Sequence, residues 1–454
     1  MTSAGRPPSP FPPDFLWGAA TSAYQIEGSP SADGAGDSIW SRFARQPGRV
    51  RDAAAVDVAC DHYRRWREDV RLMEALGLNA YRFSVSWSRV LPAGTGAVNA
   101  AGLAFYDRLV DALLAAGIAP CLTLYHWDLP AALDDRGGWL NRDSAAWFAR
   151  YAEVVHGALG DRVALWATIN EPWVVMDAGY LHGTHAPGHR DRAEAPRAAH
   201  NLLRAHGAAL AALRAAGAGK VGIVLNLEPK HPATDSPVDR DAAARADAYM
   251  NGFFLDALLT GAYPGALPGL FGRDWPAFPA EDFALIHQSL DWIGVNYYTR
   301  AVVRHEPGAG LLAAAPVRRR GAVHTEMGWE AYPPGLGEVL DRVWRAARPA
   351  PLYVTENGAA FPDPPPASDG SLDDPPRAAY LRAHLREARA VLERGVDLRG
   401  YFVWSLLDNL EWAEGRSKRF GIVHVDPGSQ ERTIKSSGRL YADLIRSGGR
   451  ALED

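Results

Sequence analysis

The chain has 454 residues, 47% hydrophobic and 22% charged, which is ample apolar content for a large buried core. Net charge is −5 with both signs mixed along the chain, and no basic stripe marks a nucleic-acid partner. No apolar run reaches the roughly 18 residues that would suggest a membrane-spanning helix.

Residues 1–13 are polar and Pro-rich and read as a flexible N-terminal tail. They contain no basic segment followed by an apolar one, so no secretory signal is expected and cytoplasm is the default location. Eight short apolar runs follow, at Phe15–Ala19, Ala80–Ser84, Ala119–Tyr125, Leu165–Asn170, Val221–Leu225, Trp292–Asn296, Leu352–Glu356 and Leu398–Trp404. Helical patterns fill the gaps. Asp57–Leu76 is ended by Gly77, and Ser144–Leu159 has Asp143 or Ser144 as N-cap and Gly160 beyond its end. Arg377–Glu393 is ended by Gly395.

Strands alternating with helices imply a parallel sheet. Eight such units predict an α/β fold, a closed (β/α)8 TIM barrel forming one domain over residues 1–454. The excess length falls in βα loops, mainly Ser22–Ala55, Tyr297–Ala331 and Asn357–Pro376. Cys60, on an expected helix, and Cys121, on an expected strand, read as buried free thiols. Only four lysines occur, Lys220, Lys230, Lys418 and Lys435, so arginine supplies the rest of the 48 basic residues.

Two glutamates close apolar runs: Glu171 in Thr168-Ile169-Asn170-Glu171-Pro172 and Glu356 in Thr355-Glu356-Asn357-Gly358. That places each at the carboxyl end of a barrel strand, the rim where barrel enzymes carry chemistry. Two carboxylates facing one cleft are what glycosidic bond cleavage needs. Proline after Glu171 is expected to hold it in an extended conformation.

Further segments extend the pattern: Phe15 to Ser22 with Tyr24-Gln25-Ile26-Glu27-Gly28, Tyr81-Arg82-Phe83-Ser84 and Tyr125-His126-Trp127-Asp128-Leu129-Pro130. Asn296-Tyr297-Tyr298, Met327-Gly328-Trp329-Glu330, Trp404 to Asn409 with Glu411-Trp412, and Lys418-Arg419-Phe420-Gly421 follow. In this order and along nearly the whole length, the chain resembles glycoside hydrolase family 1, the retaining β-glucosidase type.

The resemblance implies Glu356 as nucleophile and Glu171 as acid/base. Arg82, Tyr298 and Asn296 would support the nucleophile. Gln25, His126, Trp127, Asn170, Glu411 and Trp412 would contact the sugar, with Asn170 at its 2-hydroxyl. Trp404 would lie under the sugar ring, after a cis peptide to Ser405. Trp329 would wall the aglycone site, and Phe420 would flank the 6-position. No cofactor is expected. His182, His185 and His189 are clustered in sequence, but their loop resembles a family loop without metal, so no metal is expected either.

The activity implied is exo-cleavage of a terminal β-D-glucosyl residue from small β-glucosides or cello-oligosaccharides, with side activity on β-galactosides and β-fucosides. A transglycosylase would carry the same residues, and a glycan-binding protein would normally lack one carboxylate. Ala131, Leu410 and Arg416 depart from common family residues. Glu411 would repel a 6-phosphate, which favours unphosphorylated glycosides. Neither the aglycone nor the oligomeric state is legible.

Overall fold

The computed structural model describes residues 9–53 and 56–453. Its centre is a closed barrel of eight parallel strands: β1 (Leu16–Ala20), β2 (Ala80–Ser84), β3 (Ala119–Tyr125), β4 (Leu165–Asn170), β5 (Lys220–Asn226), β6 (Trp292–Asn296), β7 (Leu352–Asn357) and β8 (Leu398–Trp404). Each strand pairs with its neighbours in sequence, and β1 closes the ring by pairing with both β2 and β8. All eight expected strands are present, five of them with the expected bounds and three differing by one residue at one or both ends.

The barrel lumen is filled by large side chains lying over glycines. A Cβ on Gly18 would stand 2.3 Å from the Phe402 ring, and one on Gly222 would stand 2.6 Å from the Trp292 indole. Hence the absence of a side chain at these glycines leaves room for the Phe402 and Trp292 rings inside the barrel.

The helices differ from expectation at their starts. The first, α1, covers His62–Leu76 and not Asp57–Leu76. Asp61 is left-handed (φ 51°), which blocks propagation of the helix backwards, so Cys60 lies in a turn before the helix. Both cysteines are buried and free. The second, α2, is Ser144–Leu159 as expected, but neither Asp143 nor Ser144 caps it by side chain, and Gly160 is right-handed. The third, α3, spans Pro375–Glu393, with proline in its first turn where no N–H is needed.

One expected loop and the segment after β8 carry structure of their own. Ala301–His305 and Ala314–Pro316, inside the Tyr297–Ala331 loop, join Lys230–Pro232 in a three-stranded sheet above the barrel. Val423–Val425 and Arg432–Ile434 pair after β8. The N-terminal tail is also anchored over its described part. Phe11 is 2% exposed and packs 4.9 Å from Phe15 and 4.7 Å from Trp17. Residues 1–8, and 54 and 55 of the first loop, lie outside the described residues. Among the described residues no helix is long and apolar enough to cross a membrane.

Candidate active site

Glu171 directly follows β4 and Glu356 is the penultimate residue of β7, with β5 and β6 between the two strands, and the strand registers shift at both places. Pairing of β4 with β5 slips between Ala167 and Asn170, and pairing of β7 with β6 slips between Val354 and Glu356. Such irregularities re-aim side chains at strand ends. Glu171 is not extended as expected but left-handed, at φ 45° and ψ 63°, with Pro172 opening the short helix Pro172–Val174. Proline disfavours the right-handed helical region for its predecessor. The chain must also turn from strand to helix within one residue, and the left-handed region meets both demands. Trp127 (φ 75°) and Trp412 (φ 48°) share this conformation and line the same cavity. Each such residue costs of order 1–3 kcal/mol, a strain typical of functional sites.

The two carboxylates are both buried but have unequal partners. Glu356 accepts from Arg82 Nη1 at 2.6 Å and from the Tyr298 hydroxyl at 2.6 Å. Among the described residues Glu171 accepts only from a neutral amide, Asn296 Nδ2 at 2.6 Å, on its Oε1. Asn170 ties the halves together. Its Oδ1 accepts from Arg82 Nη2 at 2.7 Å and from Asn296 Nδ2 at 3.1 Å. Thr355 Oγ1 in turn donates to Asn296 Oδ1 at 2.7 Å, which fixes the amide's orientation.

Burial and the negative charge of Glu356 push Glu171 well above the usual carboxylate range. Burial raises Glu356 too, but the Arg82 guanidinium and the Tyr298 hydroxyl oppose it. When two buried carboxyls share one proton, it resides on the one with weaker support for the anion, here Glu171. Glu411 lies on the same wall and is pushed up to about 8 by burial, then by Glu356 and Glu414.

The cavity above the barrel measures about 500 Å³, within the range of small-molecule sites. Glu171, Glu356, Asn296 and Tyr298 line it, with His126, Trp127, Trp329, Trp404, Glu411, Trp412 and Phe420. Three expected residues lie behind the wall. Arg82 and Asn170 hold their neighbours as described. Gln25, fully buried, donates to Asn409 Oδ1 (3.1 Å) and Leu410 O (2.7 Å) and accepts from Ser22 Oγ (2.6 Å). Through these bonds Gln25 braces the segment that carries Glu411.

Four buried polar atoms of wall residues have no protein hydrogen-bond partner among the described residues: Glu411 Oε2, His126 Nδ1, Trp173 Nε1 and His185 Nδ1. Burial drives His126 well below its usual pKa, so the ring is neutral. With Asn170 Nδ2 3.1 Å from Nε2, the ring accepts there and its proton sits on the unpartnered Nδ1. A buried polar group without a partner calls for an explanation, and on a cavity wall a polar ligand supplies one.

Trp404 stacks 5.8 Å from the His126 ring, and its peptide with Ser405 is cis as the resemblance implied. Gly358 permits this arrangement, because a Cβ there would stand 1.6 Å from Trp404 O. Trp329, Tyr298 and Phe420 form a second aromatic group with centroids 5.4–6.2 Å apart.

The sequence reading missed the outer wall. Trp173, Asn226, Glu228, Lys230 and Met250 line it. Asn226 ends β5, the position that exposed both glutamates on their own strands, and would have been found by the same rule. His185, read only for metal, also lines the cavity, partly buried with its ring 5.7 Å from Trp127, and its pKa is lowered to about 4 by desolvation. His182 and His189 turn to Asp177 and Glu194 instead.

One carboxylate–histidine group with metal-like spacing occurs among the described residues, Asp363, Asp408 and His424. Lys435 Nζ sits 2.8 Å from both Asp363 and Asp408, and Arg377 lies 3.2 Å from Asp363. These cations balance the carboxylates, and the group is a buried ion-pair network that ties the loop after β7 to the one after β8.

The chain is 49% identical over 451 residues to β-glucosidase A of Thermotoga maritima, covering 98% of this chain and 99% of that one. It is 47% identical over 446 residues to the 1,4-β-D-glucan glucohydrolase of Thermotoga neapolitana, covering 97% and 99%. The structure of the β-glucosidase from Thermotoga maritima in complex with galacto-hydroximolactam superposes with a TM-score of 0.93 at 47% identity, covering 97% of this chain and 99% of that one. The glycosyl hydrolase family 1 model matches residues 8–450. A match of that length, on a barrel whose rim holds two unequally paired glutamates, shows that the chain belongs to glycosyl hydrolase family 1.

Proposed function

We propose that this protein is a retaining exo-β-glucosidase that removes a terminal β-D-glucosyl residue by double displacement, with Glu356 as nucleophile and Glu171 as acid and then base. The carrying observation is the unequal support of two buried carboxyls: Arg82 and Tyr298 at Glu356, a single amide at Glu171. In the first step Glu356 attacks the anomeric carbon while Glu171 gives its proton to the departing oxygen. Forming the glycosyl ester removes the charge on Glu356, which is one cause of the raised Glu171 pKa. Glu171 then becomes a carboxylate of lower pKa and takes a proton from the water that attacks the same carbon. Glu356 leaves as a carboxylate and the sugar departs with retained configuration.

The glycone side supplies Glu411 Oε2 and His126 Nδ1 to the sugar hydroxyls and Trp404 to its face. A sugar 6-phosphate would bring a dianion to a wall carrying Glu411, Glu414 and Glu356, so unphosphorylated glycosides are the substrates. β-Galactosides and β-fucosides are slower substrates of the same pocket.

Aryl β-glucosides with good and poor leaving groups test the assignment. Glu356→Ala abolishes turnover. Glu171→Ala loses far more on poor leaving groups, which need protonation, than on good ones. Equal losses on both would refute the roles given to the pair.

A further inference from the structure

Asn357 belongs to the Thr355-Glu356-Asn357-Gly358 motif, yet it does not line the cavity. It is fully buried, and its amide is engaged within the protein. Asn357 Nδ2 donates to Tyr297 O at 2.7 Å and to the Tyr380 hydroxyl at 3.2 Å. Its Oδ1 accepts from the Tyr401 hydroxyl, which fixes the orientation of the amide. The Tyr380 hydroxyl then donates to Tyr298 O at 3.0 Å.

These bonds join four elements. Tyr380 stands on α3, Tyr401 on β8, Asn357 at the end of β7 and Tyr298 two residues past β6. The Tyr380 ring is itself held in place, stacked 3.8 Å from the His384 ring one turn along α3. Arg377, one turn before Tyr380, donates to Ala359 O at 3.2 Å and to Phe361 O at 3.0 Å, so α3 is also tied to the loop after β7. The Tyr297–Tyr298 segment is thus pinned at three backbone atoms. Tyr297 N donates to Glu356 O at 3.0 Å, Tyr297 O accepts from Asn357, and Tyr298 O accepts from Tyr380. Of the three, the bond from Tyr380 holds residue 298 itself. The Tyr298 hydroxyl in turn donates to Glu356 Oε2 and opposes the rise of that carboxyl's pKa.

We propose that Tyr380 is a positioning residue for the nucleophile: through Asn357 and the Tyr298 carbonyl it sets the distance and angle at which the Tyr298 hydroxyl meets Glu356. The inference rests on the β-glucosidase reading, in which Glu356 attacks as a carboxylate. A hydrogen bond to an anion is strong when short and straight, and it weakens steeply as the donor bends away. Without the Tyr380 hydroxyl, Tyr298 O loses its donor and Asn357 Nδ2 loses one of its two acceptors. Residue 298 is then free to shift while the barrel stays closed, and Glu356 becomes a poorer anion. Glu356 also faces Arg82, Glu171 and Glu411, which the change leaves in place.

The test is Tyr380→Phe in the full-length protein, which keeps the ring and its stack on His384, with melting temperature as the check on folding. On an aryl β-glucoside, kcat should fall by about fivefold or more with KM within about twofold. The acidic limb of kcat/KM against pH should move up by about half a pH unit or more, because Glu356 must be ionised to attack, while the alkaline limb moves less. A folded variant with an unmoved acidic limb would make the hydroxyl a structural brace and overturn the proposal, whatever its kcat. Should Tyr380→Phe not fold, Tyr401→Phe carries the test through Asn357 and must move the acidic limb in the same direction; an unmoved limb or a lost fold there overturns the proposal. Failure of the β-glucosidase reading is separately visible, because the unaltered protein would then cleave no aryl β-glucoside.

Discussion

Glu411→Gln should stabilise the protein while impairing it as an enzyme. Burial, Glu356 and Glu414 push the Glu411 pKa from 4.5 up to about 8. A carboxyl whose folded-state value is raised costs nothing below its unfolded value, and then destabilises increasingly as pH rises from about 4.5 towards 8. By linkage the penalty is about 1 kcal/mol at pH 5 and about 3 kcal/mol at pH 7. Glutamine imitates the protonated form and does not titrate, so its advantage should grow by about 2 kcal/mol between those values. With unfolding entropies near 2.1 cal/mol/K per residue, 3 kcal/mol corresponds to about 3 °C in a chain of this length. Thermal melts at pH 5 and pH 7 provide the assay, alongside kcat/KM on an aryl β-glucoside, which should fall by about tenfold because an amide N–H2 cannot reproduce the carboxyl's hydrogen bonds to the sugar hydroxyls. A pH-independent shift in melting temperature, or a destabilised variant at pH 7, would refute the reasoning.

A crystal structure should place the carboxyl groups of Glu171 and Glu356 about 5–5.5 Å apart, and a separation of about 7–9 Å would mean inversion. Asn296→Ala removes an amide that lowers the pKa of both glutamates. Both limbs of the pH–rate profile should move to higher pH, with kcat down by about 10- to 100-fold; an unmoved high-pH limb would show that Glu171 does not govern it. Arg82→Lys keeps the charge but loses the fork that bridges Glu356 and Asn170 at 2.6 and 2.7 Å. Its kcat should fall by at least about tenfold with little change in KM, and wild-type kinetics would discount the fork geometry. Gly358→Ala would force a Cβ to within 1.6 Å of Trp404 O, so a loss of about 3 kcal/mol in stability is expected, measurable by denaturant unfolding.

The barrel was legible because each strand is a short apolar run ended by a turn, a signal that depends on neighbours in sequence alone. The same rule exposed Glu171 and Glu356, and the ordered motifs brought the aromatic and amide residues around them. Local signals misled where they competed. The rule for residues before proline disfavours one region without choosing among those that remain, and the strand-to-helix turn selected the left-handed conformation for Glu171. The helical pattern of α1 ran back to Asp57 because nothing local announced the left-handed Asp61.

Sequence by itself determined the strand–helix rhythm, the family and the two carboxylates, since each rests on residues close together along the chain. Tertiary structure decided which partners those residues have. Arg82 on β2, Tyr298 after β6 and Asn296 on β6 converge only when the barrel closes, and that convergence makes one glutamate the better anion. It also withdrew Gln25 behind the wall and brought Glu228, Lys230 and Trp173 onto it. Burial and neighbouring charge depend on what surrounds a side chain in space, and a linear chain does not specify that until it folds.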